Sequence, residues 1–240
     1  MPYYGYYYYF DPTWILVLIG AVICMIASAR VKTTFSKYSK VRSRTGMTGA
    51  EAARRLLDSQ GIYGVQILPV SGSLTDHYDP RDKTLKLSQS VYGSASVAAI
   101  GVAAHECGHA IQDEVGYTPL RLRTAFVPVA NFGSSISMIL IIAGLIFGAR
   151  NGSYSILVNL GILCFSLAVL FQLITLPVEF NASRRALVLL QENGILYQDE
   201  AAQTRKVLSA AALTYVAGAL SAILQLLRLI ILFGGRRDRD

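Results

Sequence analysis

Residues 124–178 read TAFVPVANFGSSISMILIIAGLIFGARNGSYSILVNLGILCFSLAVLFQLITLPV, with Arg150 as the sole charge. Two charge-free runs, 124–149 and 151–178, flank a polar connector around Arg150, Asn151 and Ser153. Each run supplies the roughly 17 to 25 apolar residues that a helix needs to cross a bilayer. The stretch predicts a transmembrane hairpin. Two crossings return the chain to the side it left, so whatever precedes residue 124 and whatever follows residue 178 face the same compartment.

Further blocks of this kind stand at both ends. Residues 12–29 carry no charge and follow a start with six tyrosines (Tyr3, Tyr4 and Tyr6 to Tyr9) and Phe10, an aromatic density suited to a membrane interface. The positive residues come after this run, at Arg30, Lys32, Lys37, Lys40, Arg42 and Arg44. A cleaved signal peptide has the opposite order, so 1–29 reads as an uncleaved anchor with its N-terminus outside. Residues 207–235 are apolar apart from Arg228 and are followed by Arg236, Arg237 and Arg239. Two readings stay open for them: a fourth span, or a helix whose small-residue half, 209–222, packs on the neighbouring polar layer while Arg228 snorkels.

Composition agrees. Of 240 residues 53% are hydrophobic and only 15% charged, the mean hydropathy is +0.43, and a soluble domain is about 25% charged. A soluble or disordered chain is excluded. The net charge of +7 is explained by basic loops retained in the cytoplasm, and no nucleic-acid partner is expected. Cys24, Cys107 and Cys164 lie far apart and read as small buried hydrophobes.

The chain thus divides into an anchor (1–29), a first cytoplasmic segment (30–123), the hairpin (124–178), a second cytoplasmic segment (179–206) with a helix break at Gly194, and a C-terminal apolar helix with a basic tail (207–240). Within 30–123, Thr48 and Glu51 have capping-box spacing ahead of a short amphipathic helix through Ala53, Leu56 and Leu57 that stops near Gly61. Residues 65–70 and 84–88 read as strands separated by a turn-rich 71–82, and a long helix is expected over 94–114.

That helix contains His105-Glu106-Cys107-Gly108-His109. Histidines four apart share a helix face, so their imidazoles can bind one Zn²⁺ while Glu106 points at the open coordination position. With three histidines in the chain, a pair four apart arises by chance roughly 2 to 3% of the time, and the intervening glutamate makes coincidence rarer still. A packed pair of core histidines is the plainer alternative, but in so apolar a helix the pair would need polar partners. Zn²⁺ is the expected cofactor.

Such a site takes a third protein ligand. His77 lies in a turn, and Asp113 could orient a ligand from the same helix. Glu179 ends the second run and opens Glu179-Phe180-Asn181-Ala182-Ser183, expected as the first turn of a helix, where an interfacial carboxylate would also be at home. The two crossings bring it back to the side of His109, which makes it the leading candidate.

The sequence resembles the YugP-type membrane-bound neutral zinc metallopeptidases, gluzincin-like enzymes related in pattern to the HtpX group. The residues that carry the resemblance are the Tyr-rich start before an anchor, Asp79-Pro80 through Leu85-Lys86-Leu87-Ser88, His105-Glu106-Cys107-Gly108-His109-Ala110-Ile111-Gln112, and Leu176-Pro177-Val178-Glu179-Phe180. It implies a predominantly α-helical integral membrane protein with a small α+β zincin-like catalytic layer at the cytoplasmic face of the cell membrane. It further implies Zn²⁺ on His105, His109 and Glu179, Glu106 as general base, and protein or peptide substrates, membrane proteins among them. It also implies an edge strand before the active helix, expected at 83–88, to hold substrate extended. Ser183 departs from the HtpX-like pattern, which has an aspartate there, so the partner that orients the histidines is open. Tyr215 is a further candidate to donate to an oxyanion, against an ordinary packing role.

Two other classes compete. A noncatalytic zinc-stabilised membrane scaffold or adaptor would have no need of Glu106 and would close the fourth position with protein. A zinc transporter would place charged ligands mid-membrane, whereas His105, Glu106 and His109 precede the hairpin.

Overall fold

The computed structural model describes residues 11–151 and 155–234. The tyrosines of the N-terminal stretch, part of the hairpin connector and the arginines of the tail lie outside these residues. The elements run α1 (Trp14–Tyr38), α2 (Gly49–Ser59), β1 (Gln66–Val70), β2 (His77–Asp79), β3 (Thr84–Ser88), α3 (Gln89–Tyr92), α4 (Val97–Glu114), α5 (Thr118–Asn151), α6 (Ser155–Glu192) and α7 (Gln198–Phe233). The protein is mostly helical, with one small sheet.

α1, α5, α6 and α7 are each long and apolar enough to cross a membrane. Their outward faces carry exposed Ile26, Ile139, Leu163 and Ile231, the surface that hydrocarbon rather than water accommodates. α5 and α6 form the hairpin. α1 and α7 run antiparallel: Asp11 pairs with Arg228 at 2.8 Å, and a Cβ on Gly20 would come within 2.7 Å of Ser221 Oγ. Close approach of two membrane helices at a small residue replaces the hydrophobic drive that is absent in lipid. Arg228 therefore does not snorkel free; it is paired, and its guanidinium lies over Trp14, 4.4 Å from the ring centre.

The polar layer is built around α4. Its first two turns are apolar on all sides and buried apart from half-buried Val102, the signature of a helix surrounded by protein. It packs against α2, α6 and α7, over a core that includes fully buried Leu56, Leu57, Leu85, Leu87, Ile100 and Leu190. α4 begins at Val97 rather than 94, because Ser96 is extended and its side chain accepts a hydrogen bond from Ala99 N. The capping box of α2 forms as expected, with Thr48 Oγ1 and Glu51 Oε2 each receiving the other's backbone N–H. Gly194, in the left-handed region at φ +62°, separates α6 from α7.

The sheet order is β1-β3-β2, with β1 parallel and β2 antiparallel to β3. Two expectations are corrected here. The turn-rich 71–82 contains a strand, β2, and the strand before the active helix, β3, is central rather than at an edge. Leu85 and Leu87 are fully buried, and neighbours on both sides of β3 explain why; the edge beside α4 is β2.

A third correction concerns Glu179. It lies well inside α6, not in a first turn, because the helix continues through Pro177. Proline interrupts one backbone hydrogen bond without ending a helix that its neighbours support. The cysteines are free: Cys107 is buried, whereas Cys24 and Cys164 are half-buried rather than enclosed.

Candidate metal centre

α4 and α6 meet at Gly108. A Cβ there would stand 2.6 Å from Ala182 O and 3.0 Å from Ala182 Cα, so only glycine permits this separation. The contact lies between His105 and His109 on one helix and between Glu179 and Ser183 on the other. It sets the depth at which the carboxylate meets the imidazoles.

Glu179 is 2% exposed, and its Oε2 lies 3.2 Å from His105 Nε2 and 3.6 Å from His109 Nε2. One ligand atom from each of the three residues falls within 4.8 Å of the others. Bonds of about 2.0 to 2.1 Å in a tetrahedral zinc site put neighbouring ligand atoms about 3.3 Å apart, so this donor set fits the ion. The other carboxylate oxygen, Oε1, faces Arg123 Nη1 at 3.6 Å.

The far nitrogens of both rings are occupied. His105 Nδ1 lies 3.0 Å from Ser183 Oγ, and His109 Nδ1 lies 3.0 Å from Gln112 Oε1. Gln112 Nε2 donates to Val178 O and Asn181 Oδ1, which fixes the amide so that Oε1 must accept. His109 therefore carries its proton on Nδ1 and presents Nε2 to the site. Burial opposes the charged form of His109, but the Glu179 and Glu106 carboxylates outweigh it and raise its pKa.

Glu106 is buried and stands outside the triad, with Oε2 accepting the backbone N–H of Tyr78 at 3.1 Å. β2 is thereby tied to α4, and a second tie runs from the Tyr78 hydroxyl to Asp113 Oδ2 at 2.8 Å. Burial, with the Asp113 carboxylate beside it, pushes the Tyr78 phenol upward.

The sequence-derived residues sort clearly. His105, His109 and Glu179 come together between α4 and α6, Glu106 stands beside them on α4, held by Tyr78, and Tyr215 lies on α7, one of the helices packed against α4. His77 does not join them: its Nδ1 pairs with Thr75 O on the exposed side of β2. Asp113 orients Tyr78 rather than an imidazole. Sequence reasoning missed Gln112 and Arg123. Gln112 follows His109 by three positions on the buried face of α4, a spacing that could have revealed it. Arg123 carries no comparable signal.

Residues 13–234 match the family described as "Putative neutral zinc metallopeptidase". The chain belongs to this family. The "Putative membrane protease YugP" of Bacillus subtilis (strain 168) is 49% identical over 214 residues, which cover 89% of this chain and 93% of that protein. No solved structure matches the chain. Membership in the neutral zinc metallopeptidases makes Zn²⁺ the cofactor, and four span-capable helices agree with a membrane protease as relative.

Proposed function

We propose that this metallopeptidase is a gluzincin-type endopeptidase, with Zn²⁺ held by His105, His109 and Glu179 and with Glu106 as general base. The observation that carries this reading is the division of labour between two buried carboxylates. Glu179 turns one oxygen to both imidazoles, whereas Glu106 keeps clear of that triad and is fixed by Tyr78.

Bound zinc supplies a Lewis acid that acidifies a water and polarises a peptide carbonyl. Gln112 and Ser183 hold the imidazoles by their Nδ1 atoms, so that both Nε2 atoms, turned to Glu179, would be free to hold the ion. Glu106 accepts the attacking water's proton on the oxygen that Tyr78 does not engage and returns it to the nitrogen of the scissile bond, which leaves as a neutral amine. β2, the sheet edge beside Glu106, aligns an extended peptide by backbone pairing. Tyr215 of α7 is the candidate donor to charge developing on the carbonyl oxygen.

In this reading 30–123 and 179–206 form the catalytic layer at the cytoplasmic face, the side of the basic residues from Arg30 to Arg44. Residues 1–29, 124–178 and 207–240 form the membrane part, in which α7 crosses fully alongside α1. A site this near the bilayer favours protein and peptide substrates that include membrane-protein segments.

The test uses purified wild type, Glu106→Gln and Glu179→Ala in detergent, with zinc measured by elemental analysis and turnover on an unfolded protein. Glu106→Gln retains stoichiometric zinc and loses roughly 10²- to 10⁴-fold in kcat, and Glu179→Ala loses zinc. A zinc-loaded wild type that cleaves none of several substrates indicates the noncatalytic scaffold instead. A wild type without zinc overturns the reading.

A further inference from the structure

Two adjoining clefts open on α1 at the end of its apolar run. One, of about 410 Å³, lies between α1 and α7 and is lined by Arg30, Lys37, Tyr38, Arg205, Lys206 and Leu213, among others. The second, of about 540 Å³, is lined by Lys32, Thr33, Ser36, Lys37 and Lys40 and shares Thr33 and Lys37 with the first. Six cations thus surround a continuous depression with no acidic residue in its lining. Among the described residues, none of the six forms an ion pair with a carboxylate. Lys37 lies over the ring of buried Tyr38, its Nζ 5.5 Å from the centre, which holds it at the junction of the two clefts.

Their level is set by the sequence. Arg30 follows the charge-free 12–29, and Arg205 and Lys206 directly precede the apolar 207–227 of α7. The cations therefore ring the two helices where hydrocarbon gives way to water. On the membrane side Ala210 and Leu213 line the α1–α7 cleft, and beyond them the exposed side chains of both helices are apolar: Met25 and Ile26 on α1, Val216 and Leu220 on α7. A ligand that satisfies both halves carries an anion at one end and hydrocarbon at the other. Basic pockets between membrane helices at the headgroup level recognise anionic lipids in this way.

We infer that the α1–α7 cleft binds the phosphodiester headgroup of an anionic glycerophospholipid, with the acyl chains lying along the apolar faces of the two helices. Free phosphate uses only the cationic half of this lining. A polynucleotide needs a cationic track open to water, which a cleft ending in Leu213 at the hydrocarbon boundary does not offer. The bound lipid bridges α1 and α7 and is independent of the peptidase chemistry.

The test measures lipid binding to the full chain in detergent by native mass spectrometry, with phosphatidylglycerol and phosphatidylcholine as probes. Wild type binds phosphatidylglycerol at least about thirtyfold tighter than phosphatidylcholine. With about fivefold expected per cation near the surface, Arg205→Gln/Lys206→Gln weakens phosphatidylglycerol roughly thirtyfold and leaves phosphatidylcholine unchanged. Lys37→Gln, a milder change that reaches both clefts, weakens it about fivefold. Arg54→Gln/Arg55→Gln, which removes two charges at a cleft on α2, has no effect. Equal affinity for the two lipids in wild type overturns the inference, as does unchanged affinity in folded Arg205→Gln/Lys206→Gln and Lys37→Gln. Displacement of the lipid by millimolar inorganic phosphate or by a short single-stranded oligonucleotide overturns it too, by identifying a different anion as the ligand.

Discussion

Gln112 stands behind His109, its Oε1 3.0 Å from Nδ1, with both of its own N–H bonds committed to the backbone and side chain of α6. The amide belongs to the helix of the histidines and reads the position of the helix that carries Glu179. One side chain thus sets a tautomer and ties together the two elements that make the site.

Gln112→Leu removes the acceptor while keeping most of the volume. Outer partners of metal-bound histidines contribute about 10- to 100-fold in metal affinity, and a loss in that range is expected when zinc is titrated against a chromophoric chelator. Unchanged affinity rules out the tautomer lock.

Gly108→Ala places a methyl group against the backbone of Ala182. Overpacking of this kind costs about 1 to 3 kcal/mol. Because the displaced helix carries Glu179, zinc affinity falls together with Tm. A variant less stable but with unaltered zinc affinity shows that the contact serves packing alone.

The sequence revealed the parts of this site that have a period or a motif. The histidines four apart, the capping box at Thr48 and Glu51 and the charge-free runs each repeat a pattern that a single element imposes. β2 was hidden because three polar residues, His77, Tyr78 and Asp79, have no alternation to detect, and their strand exists only through pairing with β3. In the sequence Glu179 reads as a helix start because charge resumes there. Polarity changes at the edge of the hydrocarbon, whereas backbone hydrogen bonding in α6 does not. Arg123 meets Glu179 across two helices, a relation that exists only in three dimensions.

Asp79 gives a pH test. Hydrogen bonds from the Arg81 side chain and backbone hold its carboxyl well below the usual carboxylate range. A depressed folded pKa contributes stability that is present above the unfolded pKa, about 3.9, and is lost as pH falls through the folded value. Asp79→Asn lowers Tm at pH 7, and its difference from wild type shrinks steadily below about pH 4. A difference independent of pH removes ionisation as the cause.

Asp11, just ahead of α1, pairs with Arg228 in the last turns of α7. Asp11→Asn leaves a cation unpaired in an apolar helix, which is costly at membrane depth, and lowers Tm in detergent. Adding Arg228→Leu restores much of the loss. A double variant as unstable as the single one excludes charge pairing as the reason for the contact.

α6 is one rod from Ser155 to Glu192, with lipid-facing side chains on one length of it and Glu179 on the next. No break lies between the apolar length of this helix and Glu179. Under the proposed function such a rod makes the reacting centre a gauge of height: it would meet bonds at one fixed distance from the membrane surface, and a polypeptide would be selected by where its chain emerges from the lipid as much as by the residues it presents there.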